Sequence, residues 1–155
     1  GFNGTSPLEL SAAYGVFARG GYYIEPYSYT KIVFKETDEV YEHKYEKVKA
    51  MSEETAYMIT DILITATKQG AIGNVNISGT EVAGKTGTST HSLANVPDSA
   101  SSDNWVMSYS PDYTIAFWYG VDVLGPKNYT NALAASAQRK EISALLSKKV
   151  YKKKK

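Results

Sequence analysis

The sequence has 155 residues, 43% of them hydrophobic, which is enough for one domain with its own core. Six of the last eight residues are lysines; residues 1–147 carry 11 basic and 16 acidic side chains, a net charge of −5 that argues against nucleic-acid binding. The absence of cysteine excludes disulfide bonds and thiolate metal sites, and no apolar run approaches the roughly 20 residues that a transmembrane helix needs.

The first predicted element is a helix that begins near Ser6. Ser6 suits the N-cap, Pro7 suits the first helical position, and Glu9 can return a hydrogen bond to the cap. Gly20-Gly21 ends the helix. Four apolar residues at helical spacing predict its buried stripe: Leu10, Ala13, Tyr14 and Phe17.

A surface hairpin is predicted next. The segment Tyr22 to Phe34 is aromatic and β-branched, with a break at Pro26, which favours extended structure. Glu36-Thr37-Asp38 has turn composition, and the segment Val40 to Val48 returns.

A second helix is predicted from the cap at Ser52 to Gly70, with Glu53 and Glu54 in the first turn, where the helix dipole favours carboxylates. Its buried stripe is predicted from helical spacing as Ile59, Ile62, Leu63 and Ala66.

The most informative stretch follows a loop at residues 70–79. A strand-like run from Thr80 leads into Lys85-Thr86-Gly87-Thr88. Alternate strand residues face opposite sides, so Lys85 and Gly87 are expected on one face and Thr86 and Thr88 on the other. A cation, two hydroxyls and backbone N–H groups suit a carboxylate or a developing oxyanion, whereas the tripeptide Lys-Thr-Gly alone also fits a surface strand with a solvated lysine.

The remaining elements are predicted to complete an α+β domain with an antiparallel sheet. A polar loop of 14 residues runs from Ser89 to Ser102, and residues 105–109 and 113–121 read as strands joined by a turn at Ser110-Pro111-Asp112. A final helix is predicted from about Asn131 to Lys149, and the basic tail, residues 148–155, is expected to be solvated. The inward residues of that helix are predicted as Ile142, Leu145 and Leu146.

Several segments, in order along nearly the whole chain, carry a family likeness. They are Gly4–Leu10, Ala12–Ala18, Gly20–Tyr22 with Pro26, Thr55–Met58 with Thr60 and Asp61, Ala83–Ser89, and Trp105 with Tyr109, Pro111, Asp112 and Tyr113. Together they resemble the transpeptidase domain of class A penicillin-binding proteins, a chemistry to which Ser-x-x-Lys, Ser-Asp-Asn and Lys-Thr-Gly motifs belong.

The resemblance implies that residues 1–155 are the C-terminal portion of one transpeptidase (penicillin-binding) domain, in which helices flank an antiparallel sheet. It implies a peptidoglycan D,D-transpeptidase that cross-links stem peptides ending in D-Ala-D-Ala through an acyl-serine and is acylated by β-lactams, with no cofactor. Its expected location is the extracytoplasmic face of the bacterial cytoplasmic membrane, with the anchor outside this chain. The alternatives are a D,D-carboxypeptidase or β-lactamase of the same fold, or a non-catalytic β-lactam sensor or wall-binding module.

The same resemblance implies roles for the residues around Lys85. Lys85 supplies positive potential, and the backbone N–H of Thr88 is one half of the oxyanion hole. The hydroxyls of Thr86 and Thr88 bind the substrate carboxylate, Gly87 keeps the strand clear of the serine, and Ser89 completes the substrate-binding set. No residue is predicted to hold a metal, and Trp105 is expected to pack within the sheet.

The nucleophile is predicted to be absent, although matching strings occur. Ser28-Tyr29-Thr30-Lys31 lies in an extended segment, where a serine and a lysine three residues apart face opposite ways, whereas the family's motif opens a helix. Ser102-Asp103-Asn104 follows Lys85 instead of preceding it. We therefore expect the remaining N-terminal part of the domain, as a separate chain or a cleaved piece, to supply the serine, and we expect this chain alone to be inactive.

Overall fold

A computed structural model describes residues 4–69, 72 and 79–131. Its elements in chain order are α1 (Pro7–Ala18), β1 (Tyr22–Tyr23), β2 (Lys31–Val33), β3 (Val40–Glu42), β4 (Val48–Lys49), α2 (Glu53–Lys68), β5 (Ala83–Thr88), β6 (Ala100–Ser101), β7 (Asp103–Tyr109), β8 (Thr114–Gly120) and β9 (Thr130–Asn131). The predicted α+β class with antiparallel pairing is confirmed. No helix within these ranges is long and apolar enough to cross a membrane.

Helix α1 begins as its sequence predicts. Ser6 Oγ accepts a hydrogen bond from the Glu9 backbone N–H at 3.2 Å, and the Ser6 N–H donates to Glu9 Oε2 at 2.7 Å, which completes a capping box. After the helix, Gly20 and Gly21 adopt φ values of 61° and 93°. The predicted stripe is wrong at Ala13, which is exposed, because the buried face is centred on Ala12, Gly15 and Val16.

The hairpin forms as predicted, and its base lies against α1. Strand β2 pairs antiparallel with β3, and β1 pairs with β4 at the base. Asp38 has a φ of 55° in the predicted turn, which is a conformation that Asp tolerates better than most residues. All residues from 25 to 42 are exposed.

Helix α2 begins at the predicted cap, where Ser52 Oγ accepts from the Thr55 N–H at 3.2 Å, and it ends at Lys68. The predicted stripe is partly wrong. Leu63 is buried, but Ile62 is exposed, and Ala56 and Thr67 are buried instead. Within the described residues, the buried face of α2 is therefore centred on Ala56, Leu63 and Thr67, and Ile62 lies outside it.

The central sheet has the order β5-β7-β8, with antiparallel register throughout. Helices α1 and α2 pack on the face that carries Ala83 and Tyr109, where Leu63, Tyr14 and Phe17 join the core. The Tyr109 hydroxyl lies 3.0 Å from Thr60 Oγ1 of α2, so a partly buried hydrogen bond links the sheet to that helix. The opposite face carries a second core cluster of Ile72, Val82 and Val106, with Ile115 and Phe117 packed against it.

Some predictions fall outside the described residues. These are the final helix with Ile142, Leu145 and Leu146, the basic tail 148–155, and most of the loop 70–79. Asn131, the predicted start of that helix, instead lies in β9. There it pairs with Ala100 of β6.

Candidate active-site strand

Strand β5 carries the Lys-Thr-Gly-Thr segment at the edge of the central sheet. It hydrogen-bonds to β7 on one side, and no other described strand pairs with its second side. Lys85 lies opposite Met107 and Gly87 opposite Trp105, whereas Thr86 lies opposite Val106. The predicted division of faces is therefore confirmed. Lys85 and Thr88 are exposed, while Thr86 and Gly87 are half-buried.

The Lys85 ammonium stays close to the backbone of its own strand. Lys85 Nζ donates to the Thr86 carbonyl oxygen at 2.6 Å. In the part of the chain that is described, the ion pair that forms is between Lys68 and Glu81, and no carboxylate lies within ion-pair distance of Lys85. The Lys85 ammonium is therefore available to an incoming anion. An anion bound at the edge of the sheet could also accept hydrogen bonds from the backbone.

Two glycines of β5 have different surroundings. A Cβ added at Gly84 would lie 2.5 Å from Ile72 Cδ1 and 2.7 Å from the Met107 carbonyl oxygen, so packing requires glycine there. For a Cβ added at Gly87, the three nearest atoms all belong to Trp105, at 3.4 Å or more, which is ordinary contact. Packing among the described residues therefore does not explain why position 87 is glycine.

A hydrogen-bond network holds the end of β5 against β7. Ser89 Oγ accepts from the backbone N–H of Asp103 at 2.9 Å and from that of Ser102 at 3.2 Å. Ser102 Oγ donates to Asp103 Oδ2 at 2.6 Å, and Trp118 Nε1 donates to Asp103 Oδ1 at 2.9 Å. The hydroxyl of Ser89, predicted to bind substrate, thus takes part in positioning the strand.

This network lowers the pKa of the Asp103 carboxyl. Burial by itself raises that pKa, but the hydrogen bonds from Ser102, Trp118 and Ser89 stabilise the charged form and bring the net pKa below its usual value. Sequence analysis missed the network. The available signal was the placement of hydroxyl and carboxylate residues at both ends of the loop from Ser89 to Ser102.

Two short strings match the family's motif patterns in composition but differ from them in local structure. Ser28 and Lys31 are exposed and not helical, and Ser102 is committed to Asp103. Asn104 is fully buried, with Nδ2 donating to Ser101 Oγ at 2.9 Å and Thr130 Oγ1 at 2.7 Å. The string Ser102-Asp103-Asn104 is therefore a strand connection that holds β7 in place.

An open cleft of about 680 Å³ lies beside the end of β5. The structure brings Gly87, Thr88 and Ser89 to this cleft and leaves Lys85 and Thr86 just outside it. The Trp105 ring lies 6.3 Å from that of Trp118, and both line the wall of the cleft. The remaining lining residues are Gly4, Thr5, Pro7, Ser102, Asp103, Val121 and Asp122.

Comparison with known sequences gives a consistent family match. The profile of the penicillin binding protein transpeptidase domain matches residues 2–146. Penicillin-binding protein 1A/1B of Bacillus subtilis is 34% identical over 148 residues, covering 92% of this chain and 16% of that protein. Penicillin-binding protein 1A of Clostridium tetani is 38% identical over 133 residues, covering 84% of this chain and 15% of that protein. The chain thus spans about one sixth of the length of these relatives.

Solved structures show the same fold. The D,D-transpeptidase domain of a peptidoglycan glycosyltransferase from Eggerthella lenta matches with a TM-score of 0.66 at 18% identity, covering 95% of this chain and 33% of that one. Penicillin binding protein 3 of Mycobacterium tuberculosis, complexed with ampicillin, matches with a TM-score of 0.68 at 16% identity. The match covers 96% of this chain and 35% of that one.

Proposed function

The chain belongs to the transpeptidase domain family of class A penicillin-binding proteins, and from that premise we propose that β5 is the Lys-Thr-Gly wall of a peptidoglycan D,D-transpeptidase site. The observation that carries this proposal is the position of Lys85 to Thr88 on a sheet edge, with the Gly87 and Thr88 end of the segment lining an open cleft. Lys85 lies on one face of β5, and Thr86 and Thr88 lie on the other. A ligand that runs along the edge of the strand can contact side chains from both faces, so it can contact all three residues.

In the proposed reaction, a serine attacks the carbonyl carbon of the penultimate D-Ala of a stem peptide. The C–N bond to the last residue breaks, and D-alanine leaves with a proton on its amine. An amine of a second stem then attacks the serine ester, which forms the cross-link and releases the serine. A β-lactam acylates the same hydroxyl through its own amide bond.

The residues of β5 have separate proposed roles in this reaction. The Thr88 N–H donates to the oxygen that becomes negative, and one such donor is worth about 3 kcal/mol of barrier. The hydroxyls of Thr86 and Thr88 hold the terminal carboxylate, and the Lys85 ammonium lowers the energy of both negative charges. Ser89 keeps the Thr88 end of the strand in place through its bonds to Ser102 and Asp103.

The serine is proposed to come from a part of the domain outside these 155 residues. Four large apolar side chains on α1 and α2 support a contact with more protein, because each remains 58–72% exposed: Leu8, Tyr57, Met58 and Ile62. The proposed partner is the remaining N-terminal part of the transpeptidase domain, and the proposed location is the extracytoplasmic face of the bacterial membrane.

Labelling with a fluorescent penicillin tests this proposal. We expect the full-length protein that contains these residues to form a covalent adduct and the 155-residue chain by itself to form none. Lys85→Ala should slow labelling of the full-length protein about tenfold or more, since it removes a charge beside the developing oxyanion. Lys68→Ala, an exposed lysine of α2 paired with Glu81, is the matched control.

Two outcomes contradict the proposal. A stable adduct on the isolated chain means that the nucleophile lies within it, and Ser28 and Ser102 are then the serines to test. Rapid hydrolysis of the adduct by the full-length protein identifies a β-lactamase, because a transpeptidase stays acylated.

A further inference from the structure

Five aromatic rings form a continuous row of ring contacts along the hairpin, on a part of the chain that the proposed reaction does not use. The order of this aromatic ladder is Tyr41, Tyr29, His43, Tyr27 and Tyr45. Successive ring centroids are 6.2, 5.4, 4.5 and 5.8 Å apart. The rings come alternately from the two sides of the hairpin. Tyr41 lies in β3, and the other four rings lie in the segments that continue from β2 and β3 toward the base of the hairpin.

The aromatic ladder is exposed to an extent that hairpin stability does not require. Cross-strand aromatic pairs stabilise a hairpin, but each of the four tyrosines still leaves between 39% and 53% of its surface in water. Within the described residues, β2 and β3 pair with each other and with no further strand. A row of exposed ring surfaces with hydroxyl tips is typical of a site that binds an amphipathic ligand.

A cleft of about 660 Å³ runs along the ladder, within the size range of ligand sites. Its wall includes Tyr27, Tyr29 and Tyr45, and its polar lining includes Glu25, Glu46 and Lys44. The lining thus combines ring surfaces with groups that accept and donate hydrogen bonds.

The charges of the hairpin narrow the class of ligand. Residues 23–49 contain six acidic and five basic side chains, a net charge of −1. A nucleic acid or another polyanion would need a basic surface, which this segment lacks. The charge balance therefore argues against a polyanion, and the combination of rings with polar groups favours a ligand that has both apolar and hydroxylated faces.

We propose that the aromatic ladder binds a glycan chain of β-linked N-acetylated aminosugars. Pyranose rings present a C–H face that packs on an aromatic ring and an equatorial rim of hydroxyl and acetamido groups that reaches Glu25, Glu46 and Lys44. The ring-to-ring steps of 4.5 to 6.2 Å are close to the length of one sugar in an extended β-linked chain. The choice of an aminosugar rests on the proposed function, since peptidoglycan strands have this chemistry.

Titration of the full-length protein with chitotetraose, a tetramer of β-1,4-linked N-acetylglucosamine, tests the inference by calorimetry. We expect saturable binding, and the double variant Tyr27→Ala/Tyr45→Ala should weaken it about tenfold to thirtyfold. Tyr27→Phe keeps the ring and should retain most of the affinity. Tyr129→Ala is the matched control, because Tyr129 is as exposed as Tyr29 but lies outside the ladder.

Penicillin labelling of each variant is measured in parallel. Because the ladder takes no part in acylation, all variants should label at the wild-type rate, which also shows that they are folded. A protein that binds chitotetraose through the ladder but never labels refutes the proposed function and leaves the ladder as a glycan site.

Three results overturn the inference. One is no saturable binding of chitotetraose, and another is equal affinity in the double variant and in wild type. The third is a concentration-dependent dimer that the double variant abolishes, since the ladder would then be an interface between copies of this chain. Equal affinity for cellotetraose, which lacks the acetamido groups, refutes the aminosugar assignment.

Discussion

The two glycines of β5 allow a direct test of where the ligand lies, because the same substitution should have opposite effects at the two positions. In Gly84→Ala, the new methyl group lies 2.5 Å from Ile72 Cδ1 and 2.7 Å from the Met107 carbonyl oxygen. Overpacking of this kind costs about 1–3 kcal/mol of unfolding free energy, so the melting temperature should fall.

In Gly87→Ala, the atoms nearest to the methyl group belong to Trp105, at 3.4 Å or more, and the φ of residue 87 is not in the left-handed region. Stability should therefore stay the same or rise by about 0.4–1 kcal/mol, since alanine reduces the entropy of the unfolded chain. Acylation should suffer instead. A methyl group between the strand and the ligand displaces the reacting carbonyl, and a displacement of about 1 Å costs on the order of 100-fold in rate.

The measurements are the second-order rate constant for labelling by a fluorescent penicillin and the melting temperature, both on the full-length protein. We expect Gly87→Ala to melt normally and to label about 100-fold more slowly, and Gly84→Ala to melt earlier. A folded Gly87→Ala protein that labels at the wild-type rate would refute the role of Gly87, because no ligand would then pass over that position.

The remaining predictions concern the scaffold of the site. Tyr109→Phe should cost about 1 kcal/mol of unfolding free energy in urea titrations, since it removes the hydrogen bond to Thr60, whereas Tyr109→Ala should cost about 3–5 kcal/mol. Ser6→Ala should cost about 1 kcal/mol by loss of the α1 cap, and Ser6→Gly, which keeps a favourable cap, should cost less. Asp103→Asn should cost about 1–2 kcal/mol near neutral pH, because charge-assisted hydrogen bonds become neutral ones. Hydrogen bonds overcome burial and lower the pKa of Asp103, so its stabilising effect is present above the usual carboxyl pKa and is lost as pH falls through the lower folded-state pKa. Melting curves of Asp103→Asn and wild type should therefore converge in acid, and a constant gap down to low pH would contradict this.

Local signals predicted the elements that depend on neighbours in the chain. The caps at Ser6 and Ser52, the turn at Asp38 and the alternation of Lys85 and Thr86 each involve residues within a few positions of one another. The family likeness was also visible in the sequence alone, because the matching segments follow one another in the same order as in the family.

Helical spacing was less informative about burial. It placed Ile62 and Ala13 inside, yet both are exposed. Spacing defines a stripe but does not say which part of it faces the sheet. That choice depends on how the helix packs on Ala83 and Tyr109, residues that are distant in the chain.

What the sequence by itself determined is the family, the order of α1, the hairpin, α2 and the three central strands, and the lysine, threonines and glycine of β5. Only the tertiary structure decided that Ser89 is tied to Asp103, that Gly84 is required by packing while Gly87 is not, and that five rings of the hairpin form one row. The physical reason is the same in each case. These features are contacts between strands, and a contact depends on register and packing, which no single segment of chain contains.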